Sequence, residues 1–134
     1  AHPQVQAKVH RELDDVVGRS RNPNPKDKAN LAYLEACIYE CYRFASIFLS
    51  LVAHTVEKDT KLAGYVIPKG CQIMGNVVGI HSDPRFFPEP DQFRPERFLD
   101  ASGKFTPSEH VVPFGVGESF NHAVRYNHVL SSFS

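Results

Sequence analysis

The sequence predicts a mixed α+β fold, mainly helical with a small β region. Three observations lead there. Apolar residues recur at helical spacing in the first third of the chain. Beyond Ser50 the pattern shifts to short runs of strand-forming residues separated by glycine and proline. Residues 83–95 then carry Pro84, Pro88, Pro90 and Pro95, a density that neither a helix nor a central strand accepts.

Each element follows in order. Over residues 3–17, Val5, Val9, Leu13, Val16 and Val17 fall on one helical face, and Gly18 suits the left-handed residue that ends a helix. Residues 19–25 are a polar, proline-bearing loop. A second helix is predicted over residues 27–44, with Asp27 as its N-cap and Leu34, Cys37, Ile38 and Cys41 as its apolar stripe. Glu40 and Arg43, three apart, are neighbours on its surface. Residues 52–56, 65–67 and 72–78 read as short strands. Pro68-Lys69-Gly70 is a turn signal, so residues 65–67 and 71–73 read as the arms of a hairpin. The proline-rich stretch 83–95 reads as a long ordered loop held by Phe86, Phe87, Phe93 and Phe98. In the tail, 118–134, Phe120, Ala123, Val124 and Leu130 make a weak helical stripe.

Composition narrows the function classes. The 134 residues suffice for one domain or a piece of one, and the opening at Ala1 without a methionine points to a piece. Fifteen basic and fifteen acidic residues cancel, which argues against a nucleic-acid or anionic-membrane footprint. No apolar run approaches the roughly 20 residues of a membrane span, and no signal-peptide pattern opens the chain. Cys37, Cys41 and Cys71 are too few and odd in number for a disulfide framework, which suggests a reducing compartment. No zinc-type ligand spacing is present, so no metal ligands are assigned.

Glu40-x-x-Arg43 alone would be an ordinary surface ion pair worth under about 1 kcal/mol. It is followed, however, by Ala53-His54-Thr55, Gly64-Tyr65-Val66-Ile67-Pro68-Lys69-Gly70 and His81-Ser82-Asp83-Pro84. Phe93-Arg94-Pro95-Glu96-Arg97-Phe98-Leu99-Asp100 and Val112-Pro113-Phe114-Gly115-Val116-Gly117 come next. In order and spacing these runs resemble the C-terminal part of a cytochrome P-450, a heme-thiolate monooxygenase, in the microsomal drug- and lipid-metabolising branch. The resemblance covers residues 3–117. It implies a partial domain over 1–117 (K-helix region, β hairpins, proline-rich meander and the start of the heme-ligand loop) and a divergent or deleted tail over 118–134. It also implies heme as cofactor, a small hydrophobic substrate, a reductase partner and the cytosolic face of the endoplasmic reticulum membrane. This chain itself shows no anchor.

Site residues carry over one by one. Glu40, Arg43 and Arg97 match the family's buried Glu-Arg-Arg network, a structural device. His54 matches a histidine that hydrogen-bonds a heme propionate, although the usual preceding proline is Ala53. Phe114 and Gly117 match the turn that leads the ligand loop under the heme. In the family that loop continues to an arginine, a cysteine that ligates iron, and a glycine. The ungapped continuation here puts Ser119, Asn121 and Ala123 at those places, and no cysteine follows Gly117. Divergence from Glu118 and deletion of the intervening residues both account for the tail. His110, His122 and His128 are the alternative iron ligands, but an imidazole lacks the electron donation of a thiolate. The expectation is therefore a monooxygenase fragment that is inactive as it stands, with no catalytic residues. The alternatives are a non-catalytic heme or hydrophobic-ligand binder and a product that does not fold stably alone.

Overall fold

The computed structural model describes residues 2–46 and 50–113. Phe114, Gly117, Asn121, the whole tail and the alternative ligands His122 and His128 lie outside the described residues.

Helix α1 spans Pro3–Val16. Its first turn holds Pro3, whose missing N–H would have had no intrahelical partner there. Gly18, at φ +75°, ends it, and the N–H groups of Val17 and Gly18 both donate to the Leu13 carbonyl.

The second predicted helix is two elements. A 3₁₀ helix occupies Pro25–Asn30, and helix α2 runs Ala32–Ala45. Asp27 is not the N-cap of α2. It is the third residue of the 3₁₀ helix, in a reciprocal capping box with Asn24. The start of α2 is capped across space instead: the Glu12 carboxylate of α1 accepts from the N–H groups of Tyr33 and Leu34 at 2.7 and 2.8 Å.

The buried face of α2 is also turned from the expected stripe. Ala36, Cys37, Glu40 and Arg43 are buried, whereas Ile38 and Cys41 are exposed. Counting Glu and Arg as solvent-facing shifts the reading, because here the charged pair itself faces inward.

Four short strands follow: β1 His54–Thr55, β2 Thr60–Leu62, β3 Tyr65–Ile67 and β4 Gln72–Ile73. The expected hairpin between residues 65–67 and 71–73 does not form. Strand β3 pairs antiparallel with β2, Leu62 opposite Tyr65, and β4 pairs antiparallel with β1, His54 opposite Ile73. One hairpin is thus nested inside a wider ladder. Its two-residue turn is Ala63-Gly64, at φ +48° and +85°, the paired positive angles that match strand twist. The predicted strand 72–78 stops at Ile73. Asn76 accepts from the N–H of Gly79 and starts helix α3, Val77–His81.

The loop over 83–95 holds no strand or regular helix and leads into a 3₁₀ helix at Pro95–Phe98. The core lies between this segment and α2. Ala36, Phe87, Phe98 and Val111 are buried together, with Tyr39, Tyr42, Leu99 and Phe105 against them. Tyr39 meets Phe98 and Phe105 edge-on at 5.5 and 5.1 Å. Phe86 lies outside this core, stacked on His110 at 4.0 Å, and Phe93 packs between His2 and Phe44.

Candidate functional site

Helix α2 turns Glu40 and Arg43 inward, where their side chains are 0% and 2% exposed. The fork is bidentate: Arg43 Nε and Nη2 donate to the two Glu40 oxygens, each at 2.8 Å. The remaining Arg43 donors go to backbone, Nη1 to the His81 carbonyl at 2.8 Å and Nη2 to that of Gln92 at 3.3 Å. The guanidinium also faces the rings of Phe44 and Phe87 at 5.6 and 5.4 Å.

The 3₁₀ helix brings Arg97 to the same carboxylate. Its Nε donates to Glu40 Oε1 at 3.2 Å, and the N–H of Arg94 donates to that oxygen at 2.9 Å. Arg97 Nη1 reaches the Pro88 carbonyl at 2.8 Å; Nη2 reaches those of Glu89 and Gln92 at 3.2 Å each. Burial pulls the Arg97 guanidinium below its ordinary pKa and the Glu40 charge pulls it back, so it stays cationic. Two cations share one anion. The excess positive charge is spread over the carbonyls of His81, Pro88, Glu89 and Gln92, so the proline-rich loop wraps the pair with its oxygens inward. Among the described residues no buried side-chain polar atom lacks a partner.

The predicted heme contact His54 lies away from this network. His54 is exposed on β1. A groove of about 640 Å³ beside the network is lined by Arg94, Arg97, Phe98, Thr106 and His110, among others, and includes neither His54 nor a cysteine. His110 stacks on Phe86 at the edge of this groove.

The donor chemistry does not fit a thiolate-ligated heme. Cys37 is buried in α2, and burial pushes its thiol up to about 12, leaving it protonated at neutral pH. Partial desolvation, then the Glu40 charge, also raise Cys41, on the exposed side of the same helix. Cys71 lies in the turn before β4, where its carbonyl accepts from the Val56 N–H. None of the three lies in the segment after Gly117, and no group of three His, Cys, Asp or Glu side chains suited to a metal exists among the described residues.

Two residues of structural weight were invisible at the sequence level. Glu12 caps a helix twenty residues away in the chain. His81, fully buried, joins three segments at once. The only sequence signal for His81 was its place in the His-Ser-Asp-Pro run, which gave it no role.

A helix bearing Glu-x-x-Arg, locked to a proline-rich loop through a second arginine, defines a class of scaffold rather than a catalyst. The chain belongs to the cytochrome P450 family, whose model matches residues 1–119. It is 42% identical to human (Homo sapiens) cytochrome P450 2A13 over 119 residues, covering 89% of this chain and 24% of that protein. It is 45% identical to cytochrome P450 2L1 of Panulirus argus over 116 residues, 87% of this chain and 24% of that protein. It is 44% identical to cytochrome P450 2C44 of Mus musculus over 117 residues, with 87% and 24% covered. The chain thus spans about a quarter of the length of these relatives. Family membership implies heme as the cofactor, which makes the donor mismatch above the central fact of the site. No helix among the described residues is long and apolar enough to cross a membrane.

Proposed function

We propose that this chain is part of a heme-dependent monooxygenase, inactive as it stands because it supplies iron with no thiolate. The parent reaction is insertion of one oxygen atom from O2 into a small hydrophobic substrate, with electrons from a reductase, at the cytosolic face of the endoplasmic reticulum membrane. When bound, a heme supplies the oxygen chemistry; this chain's residues supply the frame beside it. Residues 1–117 form the partial domain and 118–134 the divergent or deleted tail. Glu40, Arg43 and Arg97 hold that frame, and His54, Phe114 and Gly117 are its candidate heme contacts.

The observation that carries this proposal is the sequence after Gly117, where Asn121 stands at the expected ligand and no cysteine follows. A thiolate pushes electron density into the O–O bond, and neither asparagine nor imidazole replaces that push. A reduced-plus-CO difference spectrum of the purified, heme-exposed chain tests it. The expected result is no thiolate-type band. A thiolate-type band overturns the proposal, and a histidine-type spectrum supports instead the second function, a non-catalytic heme binder.

A further inference from the structure

The side chain of His81 is buried at the junction of three segments, 1% exposed. Its Nε2 lies 3.0 Å from the backbone nitrogen of Val112, a group that can only donate. Nε2 must therefore be the bare acceptor nitrogen, which leaves the proton on Nδ1. Nδ1 lies 3.0 Å from Ser46 Oγ, and that hydroxyl donates in turn to the Arg43 carbonyl at 2.7 Å. The bonds run one way, from Val112 N–H through the imidazole and Ser46 to the end of α2. Ser46 itself sits at φ +38°, in the left-handed region where a serine needs support. Meanwhile the His81 carbonyl accepts from Arg43.

From this geometry we infer that His81 is an acid-sensitive latch: neutral, it fastens the segment 111–113 to α2, and protonated at Nε2 it releases that segment. A proton on Nε2 would face the Val112 N–H head-on, donor against donor. Among the described residues no nearby anion rewards the extra charge. Arg43 faces the same residue as a cation, and Glu40 behind it is engaged by Arg43 and Arg97. Asp83, after α3, is tied to Arg85, while Glu109 and His110 on the arriving segment pair at 3.8 Å. Among the described residues the remaining close ring is Phe87, edge-on at 6.4 Å. Burial, then the Arg43 charge, lower the His81 pKa from its ordinary 6.5, so the latch stays shut at neutral pH. The segment it fastens ends at Pro113, the last described residue before Phe114. The latch is a property of the fold and operates with or without heme.

Two measurements on the 134-residue chain test it. Long-range ¹H–¹⁵N NMR should show His81 as the Nδ1–H tautomer at neutral pH, with its protonation displaced below the ordinary 6.5. Amide exchange should show Val112 protection falling, by up to about tenfold per pH unit once His81 begins to protonate, with His81→Gln removing that pH dependence. Ser46→Ala, which keeps the ring but frees its tautomer, should weaken Val112 protection already at neutral pH. An Nε2–H tautomer, titration of His81 at its ordinary 6.5, or Val112 protection indifferent to pH and to both substitutions overturns the latch. A chain that does not fold gives the second of these outcomes and counts equally against it.

Discussion

Replacing Glu40 by glutamine removes the one anion that two buried guanidinium groups share. The change is nearly isosteric, so packing is preserved and the charge is what is lost. Four donors converge on this carboxylate: Arg43 Nε and Nη2, Arg97 Nε and the Arg94 N–H. An amide can accept at its single oxygen only, and its NH₂ then points a donor at a guanidinium. The side chains of Arg43 and Arg97 are 2% and 6% exposed, so water cannot take over the vacated bonds. Breaking a buried pair in this way costs about 3–5 kcal/mol. Against the roughly 5–15 kcal/mol that typically holds a domain together, that is about a fifth of the total or more. Urea unfolding followed by circular dichroism reads the loss as a lowered midpoint with the slope unchanged. A Glu40→Gln unfolding free energy within about 1 kcal/mol of the parent would refute the claim that this network is a buried, charge-balanced lock.

Other perturbations follow from the same coordinates. Phe98→Ala opens a cavity beneath Tyr39 and Phe87, with an expected loss of about 3–5 kcal/mol in the same urea assay. Glu12→Ala uncaps α2 and should cost about 1 kcal/mol, with the extra amide exchange confined to Tyr33 and Leu34. Ala63→Asn places a residue tolerant of φ +48° in the hairpin turn and should stabilise by about 0.5 kcal/mol; equal or lower stability in thermal melts counts against the turn assignment. Asp27, held down to about 2 by hydrogen bonds from Arg21 and the Asn24 N–H, is lowered relative to its ordinary 3.8. Its contribution is therefore complete above that ordinary value and lost as pH falls from there toward 2. Asp27→Asn should flatten the acid-unfolding curve in this window alone.

Much of the fold was legible where local chemistry decides it. The first helix and its Gly18 terminus follow from spacing and from a residue free to adopt positive φ. The proline-rich loop was legible as ordered because it carries too many aromatics to be solvated, and Phe87 and Phe98 are indeed core residues. The errors arose where distant groups decide. Helix α2 starts at Ala32 because Glu12 reaches it from another helix, which no local window contains. Strand β3 pairs with β2 rather than β4 through the Ala63-Gly64 turn; Ala63 is not the Asn or Asp that usually announces such a turn. Val77-Val78 is β-branched and read as strand, yet Asn76 caps a helix there. The network residues were named from resemblance, while periodicity alone put the buried face of α2 one step away from Glu40 and Arg43. The exposed apolar side chains of Ile38, Phe44, Val52 and Met74 have no periodic signature separating them from core.

The most direct measurement is X-ray absorption at the iron edge of this polypeptide after loading with heme. The account predicts nitrogen or oxygen neighbours only, with no sulfur in the first coordination sphere. An iron–sulfur distance in that spectrum, in a sample that also hydroxylates a substrate, would contradict it.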